Sequence, residues 1–561
     1  MASHPNSPAE TAGPGARGWN PLTLALLTGV WIAALSNWPL WRALVNLPEM
    51  ASMRGGLFVA GFGVMVGALT TALLALFAWR FTIKPAIAVF LLAAAFGAYF
   101  MGSYGVVIDA SMMTNVLQTD PREVRDLLSW RLLASVLVLG ALPLFLVARA
   151  PLARTGAWRQ LGRNLIAIAT ALLVLLALVF ALFADLSATM RNHKSLRYLI
   201  NPVNSFYALG QLGHASNARP AGPPLPIGLD ARILARPAGA LPPLLVLAIG
   251  ETARADHFAL NGYTRPTNPE LTKLGVRSFH DVTSCGTNTA ASLPCMFSAL
   301  NKSGFEARER DHENLLDLAQ RAGMAVLWLD NQSGCKGLCE RVPHAYARDV
   351  AAGATPLPAG LCDGDDCLDA ALLHGLDARL DGLPAAARAR GVLIVLHQMG
   401  SHGPAYYKRS PPERKPFQPE CTTNVLQKCD RAALINAYDN SIAYTDHVLA
   451  QTVRWLEHKA AHYDPMLLYV SDHGESLGEN NLYLHGLPYA LAPTEQTHVP
   501  MLLWLPEQTR ADARLQPGCL DRLRDAALSH DNLFHLVLGL LGIRAGEYQA
   551  GLDAFSVCRK P

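Results

Sequence analysis

Ser471-Asp472-His473-Gly474-Glu475-Ser476-Leu477-Gly478-Glu479-Asn480, closed by His485-Gly486, follows the apolar run Met466-Leu467-Leu468-Tyr469-Val470. The run is too short for a helix and reads as a buried strand, so Asp472 and His473 fall where that strand ends. Open α/β sheets bind ligands at that edge. A carboxylate and an imidazole on adjacent residues cannot both point into one core, but both can reach a metal at a strand tip. An Asp-His pair alone is more often a surface or capping pair, so its meaning depends on what converges on it.

Three other runs end in the same way. From Leu244 onward, short apolar runs alternate with longer helical patterns, as a mainly parallel α/β sheet requires. Leu244 to Gly250 ends in Glu251, Met324 to Leu329 in Asp330, and Val392 to Leu396 in His397. In a parallel sheet those ends share one edge with Asp472. A nucleophile must come from elsewhere on that edge. Ser284 to Phe297 reads as a loop feeding a helix, with Thr289 near the helix start. Free N–H groups there favour a phosphate, and a metal can turn a hydroxyl into a nucleophile. The plainer reading makes Thr289 only an N-cap.

Upstream the chain changes character. Of 561 residues, 51% are hydrophobic and 16% charged, more apolar than a soluble enzyme needs. No charge interrupts Leu57 to Trp79 or Leu165 to Ala184, and each is long enough to cross a hydrocarbon core of about 30 Å. Leu22 to Trp41, Ala86 to Ile108 and Leu132 to Ala148 complete five expected spans, so the N-terminal part reads as a multi-pass α-helical membrane domain. The first span lacks a cleavage site and is expected to remain as an anchor. With a cytoplasmic N-terminus, Arg17, Arg80, Lys84, Arg149, Arg154, Arg159 and Arg163 lie inside, against Arg42, Arg54, Arg122, Arg125 and Arg131 outside. All ten cysteines follow the spans. Their spacings pair Cys285 with Cys295, Cys335 with Cys339, Cys362 with Cys367 and Cys421 with Cys429, leaving Cys519 for Cys558. Zinc-binding cysteine pairs are the rival reading, but five unlike spacings with few histidines suit disulfides better. Disulfides need an oxidising compartment, which an odd number of crossings supplies. The expected location is a bacterial inner membrane with the C-terminal domain in the periplasm. A net charge of +3 with no basic, aromatic-interleaved patch excludes a nucleic-acid partner.

The expected domains are residues 1–187 with the spans, 188–243 as an interfacial helix and a linker broken by prolines from Pro220 to Pro243, and 244–561 as the α/β domain. In Ala188 to Gln211 the cations Arg191, Lys194 and Arg197 fall along one side of a possible helix and Leu196, Leu199 and Ile200 along another. Between the third and fourth spans, Tyr104 to Trp130 carries Asp109, Asn115 and Glu123, with Met112, Met113, Val116 and Leu117 at helical spacings. It reads either as an amphipathic helix on the bilayer or as a lipid head-group site.

Ile249-Gly250-Glu251-Thr252, Cys285-Gly286-Thr287-Asn288-Thr289 through Pro294-Cys295-Met296-Phe297, Gly400-Ser401-His402-Gly403-Pro404 and Ser471 to Asn480 together resemble the bacterial lipid A phosphoethanolamine transferases. That family includes the mobile colistin resistance enzymes and lies within the alkaline phosphatase and sulfatase superfamily. The resemblance runs nearly the whole length of the chain. It implies that Glu251, Thr289, Asp472 and His473 ligate one zinc, Thr289 also being the nucleophile. It implies that Thr287, Lys336, His397, His402, Glu475 and His485 surround the substrate phosphate, with His402 and His485 catalytic, and that Asn115 and Glu123 meet the donor lipid. Three oxygens and an imidazole suit tetrahedral zinc, with manganese as the rival. The implied reaction moves phosphoethanolamine from phosphatidylethanolamine to Thr289 and then to a phosphate of lipid A, by a monomeric enzyme. The added ammonium lowers the negative charge of the outer membrane and weakens binding of cationic peptides such as polymyxin and colistin. A transferase of phosphoethanolamine or phosphoglycerol to a periplasmic or surface glycan is the alternative. A sulfatase is disfavoured, because no Cys or Ser followed by x-Pro-x-Arg lies around Thr289. A non-catalytic metal or lipid sensor is disfavoured by the intact Glu, Thr, Asp and His set.

Overall fold

The computed structural model describes residues 18–119, 121–218, 222–507, 509, 515, 516 and 518–559. Arg17 and Pro220, used above for topology and linker, lie outside the described residues. The chain forms two compact units, one from residues up to Ser103 with Trp130–Tyr207, the other from Tyr104–Ser129 with the chain from Ala208 onward.

In the first unit Met53–Leu76, Ile83–Tyr104, Trp130–Arg149 and Ala157–Ala181 are long and apolar enough to cross a membrane. Pro21–Ser36 and Trp38–Val45, bent by 50°, make a fifth if the pair is one span. Polar residues that weaken the hydrophobic pattern explain the bend. Pro39 cannot donate into the preceding turn. Asn37 Nδ2 instead donates to the carbonyls of Ile32 (3.0 Å) and Asn201 (2.7 Å), and Asn201 N donates back to Asn37 Oδ1 (2.9 Å). Both side chains are fully buried, so the broken backbone is satisfied without water. The possible helix after the last span is divided into Phe183–Asn192, a 3-10 segment Lys194–Leu199 and Val203–Ala218. Pro202 disfavours helical geometry at Asn201, which prevents one continuous amphipathic face.

The second unit is built on a seven-stranded sheet. Its strands are β1 Pro243–Gly250, β2 Arg277–Phe279, β3 Ala325–Asp330, β4 His344–Tyr346, β5 Val392–His397, β6 Asp464–Ser471 and β7 Met501–Trp504. Their order is β2-β7-β6-β1-β5-β3-β4, with β7 antiparallel to both neighbours and the rest parallel. Strand β1 shows why the run pattern is unbroken. Leu245, Leu247 and Ile249 enter one core and Leu244, Val246 and Ala248 the other, so both faces are covered. The first core takes helices Thr289–Met296, Leu315–Arg321 and Leu533–Leu541; the second takes Arg431–Lys459. Register sets Ser471 beside Gly250, and His397 beside both Ile249 and Asp330. The four run ends therefore meet on one edge as the sequence requires. All five expected disulfides are present.

Candidate active site

Glu251 leaves the tip of β1, and Asp472 and His473 leave the tip of β6. Thr289 is the first residue of helix Thr289–Met296, and the neighbouring Asn288 is its N-cap, accepting from Ala291 N at 3.0 Å. The capping role considered for Thr289 thus belongs to Asn288, and the Thr289 hydroxyl is directed elsewhere. It donates to Glu251 at 3.0 Å from Oε2 and 3.2 Å from Oε1, with His473 Nε2 at 3.5 Å. His473 Nε2 also lies 3.2 Å from Glu251 Oε1 and 3.4 Å from Asp472 Oδ2. All four residues are buried.

Two carboxylates in so dry a space require a positive partner. Burial and the Glu251 charge push the Asp472 carboxyl up to about 7. Burial acts the same way on Glu251, but the His473 hydrogen bond and charge outweigh it and hold Glu251 below the usual carboxylate range. Burial disfavours the His473 cation, yet the Asp472 and Glu251 carboxylates bring it up to about 10. The donor atoms of Glu251, Asp472 and His473 lie within 4.8 Å of one another. Asp472 Oδ2 is buried without a hydrogen-bond partner among the described residues, and His473 Nδ1 donates to the Gly474 carbonyl at 2.9 Å, directing Nε2 at the carboxylates. These residues fit a divalent metal. Thr252, next to Glu251, holds φ 55°, a left-handed conformation costly for a β-branched residue. That conformation directs its N–H at Asp472 Oδ1, 3.3 Å away.

Around this cluster stand three histidines. His485 donates from Nδ1 to Glu475 Oε2 at 2.7 Å, and its ring lies 4.4 Å from that of His473 and 5.5 Å from that of His402. Glu475 also accepts from Tyr406 at 2.6 Å, so both its oxygens are engaged in orienting neighbours. His397 is held by Asp330 through Nδ1 at 2.9 Å, while its Nε2 is buried and unpartnered among the described residues. Burial opposes the His397 cation, but the Asp330 carboxylate raises its pKa overall. Thr287 donates to the Leu487 carbonyl at 2.7 Å, tying the Thr289 loop to the His485 loop.

Glu123 and Asn115 reach this unit on the Tyr104–Ser129 segment. Helix Ala110–Gln118 packs on helix Thr289–Met296, and Met112 is buried with its methyl where a side chain on Gly486 would lie; Val116 and Leu117 are exposed. Glu123 Oε1 accepts from Gln332 Nε2 (3.2 Å), which also donates to Glu251 Oε2 (3.1 Å). Asn115 and Lys336 make no hydrogen bond to the Thr289 cluster among the described residues. The Lys336 amine is instead held by Ser333 Oγ (2.8 Å) and the Gln118 carbonyl (3.3 Å). Sequence reasoning did not find Gln332, although it stands two residues beyond the Asp330 strand end. It also missed His530, which accepts from Cys285 N (3.0 Å), donates to the Ser471 carbonyl (2.9 Å) and so joins the Thr289 loop to β6. A histidine between Ser529 and Asp531 carries no local signal of that role.

A buried hydroxyl beside a three-ligand metal pocket, ringed by oriented imidazoles, can attack and transfer a phosphoryl group. A family model described as phosphoethanolamine transferase EptA/EptB matches residues 66–216, and a Sulfatase model matches residues 243–543. The chain is 38% identical over 545 residues to phosphoethanolamine transferase EptA of Salmonella typhimurium, covering 95% of this chain and 96% of that one. This chain belongs to the phosphoethanolamine transferase family. It is also 37% identical over 536 residues to phosphatidylethanolamine transferase Mcr-1 of Escherichia coli, covering 95% and 96% of the two chains. The solved integral membrane lipooligosaccharide phosphoethanolamine transferase A of Neisseria meningitidis superposes with a TM-score of 0.89 at 33% identity, over 96% of this chain and 99% of that one. The transferase is accordingly a multi-pass membrane protein with a C-terminal sulfatase-like domain.

Proposed function

We propose that this transferase moves phosphoethanolamine from phosphatidylethanolamine to a phosphate of lipid A through a covalent Thr289 intermediate. The carrying observation is the Thr289 hydroxyl, 3.0 Å from Glu251 within the buried Glu251, Asp472 and His473 set. The donor is supported by the name of the Mcr-1 relative, and a lipid A-containing acceptor by the names of the Neisseria lipooligosaccharide enzyme and of a Kdo(2)-lipid A phosphoethanolamine transferase of Escherichia coli. Glu251, Thr289, Asp472 and His473 would hold a zinc ion, which when bound lowers the pKa of a coordinated hydroxyl and stabilises negative charge on oxygen.

In the first displacement Thr289 Oγ1 gives up its proton to water and bonds to phosphorus, while Glu251 stays ionised beside it. The bond from phosphorus to the diacylglycerol oxygen breaks, and His402 supplies the proton that makes diacylglycerol a neutral alcohol. His485, fixed by Glu475, and His397, fixed by Asp330, direct their second nitrogens at the phosphoryl oxygens, with Thr287 and Lys336 completing the substrate pocket. Asn115 and Glu123 meet the donor lipid. In the second displacement an oxygen of a lipid A phosphate bonds to phosphorus, the Thr289 bond breaks and its hydroxyl regains a proton from water, while His402 recovers from the incoming phosphate the proton it gave to diacylglycerol. The enzyme works as a monomer in the inner membrane with its catalytic domain in the periplasm. Five disulfides, all after the last span, support that compartment.

Mass spectrometry of lipid A from cells with and without the protein tests the reading. A gain of phosphoethanolamine on lipid A is expected; a gain on a glycan with lipid A unchanged would overturn the acceptor.

A further inference from the structure

Of the three histidines, His485 and His397 each have a carboxylate fixing the ring through Nδ1, whereas His402 has none. Its Nδ1 is buried and makes no hydrogen bond among the described residues. Its position is set through the backbone, from two sides. On the N-terminal side, buried Asp369 accepts from the N–H groups of Met399 (2.8 Å) and Gly400 (2.9 Å). On the other side, Arg409 Nε donates to the His402 carbonyl at 2.8 Å. The same guanidinium donates from Nη2 to Asp126 Oδ2 at 2.9 Å, and Lys408 pairs with the other Asp126 oxygen.

Asp126 does not belong to the catalytic domain in sequence. It comes from helix Pro121–Leu127, inserted between the third and fourth spans. The pairing is nonetheless built: the Asp126 and Arg409 side chains are 7% and 8% exposed. Asn424 Nδ2 donates to the carbonyls of Asp126 and Leu128, both at 2.8 Å, and Asn424 lies inside the loop closed by Cys421–Cys429. An arginine fork held at both ends by fixed acceptors is a rigid link, unlike a surface ion pair. Without Asp126 the fork keeps its grip on the His402 carbonyl but loses the anchor that fixes its own place.

We propose that Asp126 is a positioning residue of the reaction, holding the proton donor His402 in place through Arg409. The proposal rests on the reading that His402 protonates the departing diacylglycerol oxygen. In that step the Thr289 Oγ1–phosphorus bond forms, the phosphorus–oxygen bond to diacylglycerol breaks, and the His402 proton goes to that oxygen. A misplaced acid matters only when the leaving group needs the proton.

The test uses the full-length, metal-loaded enzyme in detergent with two donors, phosphatidylethanolamine and p-nitrophenyl phosphoethanolamine, whose phenolate leaves unprotonated. Asp126→Asn and Arg409→Lys are each expected to lower kcat on phosphatidylethanolamine by about 10- to 100-fold, with KM within about twofold and the nitrophenyl donor slowed less than about threefold. Asp126→Glu should restore part of the loss. Equal losses on both donors, or no loss on either, would overturn the positioning role. If Asp126→Asn melts early, Arg409→Lys, which keeps the charge, answers the same question. His402→Gln separates the two levels. Selective loss there without selectivity in Asp126→Asn or Arg409→Lys rejects only the proposal; no selectivity in His402→Gln rejects His402 as the acid, and the proposal with it.

Discussion

Thr289→Ala and Asn288→Ala are neighbouring changes of similar structural cost and should differ widely in activity. Asn288 caps the nucleophile helix through one bond to Ala291 N, so its loss should cost about 1 kcal/mol. Thr289→Ala removes one donation to a carboxylate, and bonds to charged groups contribute about 1.5–3 kcal/mol. Glu251 keeps Gln332 as a donor at 3.1 Å, so the net cost should fall near the bottom of that range. At about 2–4 °C per kcal/mol, both variants should melt within several degrees of the parent. Their activities should not be alike. Loss of a nucleophile costs on the order of 10⁴-fold or more in kcat, whereas a loosened cap should cost less than about tenfold. The assay is transfer from a fluorescent phosphatidylethanolamine, beside intact mass of the protein after exposure to donor alone. A phosphoethanolamine adduct on the peptide holding residue 289 is expected in the parent and in Asn288→Ala, and absent from Thr289→Ala. A folded Thr289→Ala protein with undiminished transfer would refute the covalent route and favour direct transfer between lipids.

Four further outcomes are expected. Loop-closure entropy makes the Cys519–Cys558 bridge, spanning 39 residues, worth about 4 kcal/mol and Cys285–Cys295, spanning 10, about 2.7 kcal/mol; double serine variants should nevertheless show the larger loss of transfer for the 285/295 pair, which braces Thr289, and equal losses would assign both bridges to general stability. Burial holds His530 neutral, with its pKa brought down to about 4, against about 6.5 unfolded; the unfolded chain binds the extra proton first, so the full contribution of about 3 kcal/mol is present above pH 6.5 and is lost as pH falls towards 4, and His530→Gln should flatten thermal melts across that window. Chelation should abolish transfer and zinc restore it, while Asp472→Asn should weaken zinc binding by at least about 100-fold, read by elemental analysis of the purified protein; unchanged zinc content would remove Asp472 from the ligand set. A periplasm-dependent reporter fused after Gln211 should be active and one fused within residues 151–162 silent, and the reverse pattern would invert the orientation.

The sheet-edge residues were legible because two-sided burial writes parallel strands as unbroken apolar runs, and each run ends visibly in a polar residue. Glu251, Asp330, His397 and Asp472 are all found that way. Four of the expected spans follow from length and lack of charge, and in the first expected span Asn37 and Pro39 mark the bend that leaves it a fifth only if the bent pair is one span. What holds that bend was not legible, since Asn37 bonds to Asn201, 164 residues away. Gln332, Asp369, Arg409 and His530 escaped for a related reason. Each acts on the site through a partner far off in sequence, and none lies in an apolar pattern that fixes its direction. Thr289 was placed at the helix start, but only the Asn288 bond to Ala291 shows which of the two residues caps it.

That division bears on how the molecule is assembled. The chain leaves its first compact unit after Ser103, re-enters at Trp130 and leaves again after Tyr207, so the catalytic unit is joined to the first by three covalent connections. A tether needs one. The inserted segment brings two acidic residues a helical turn apart, Glu123 and Asp126, and each meets a residue that touches the reaction machinery: Gln332 on Glu251, and Arg409 on His402. Residues three apart on a helix share a face, so a single short helix presents both. The sheet edge assembles Glu251, Asp472 and His473 from the second unit's own strands, and these are the residues that could hold a metal. The proposed proton donor His402, by contrast, is linked through Arg409 to a segment from between the apolar helices. On the proposed roles, metal binding and lipid-dependent transfer should be separable, the first resting on strand tips and the second on the inserted helix as well.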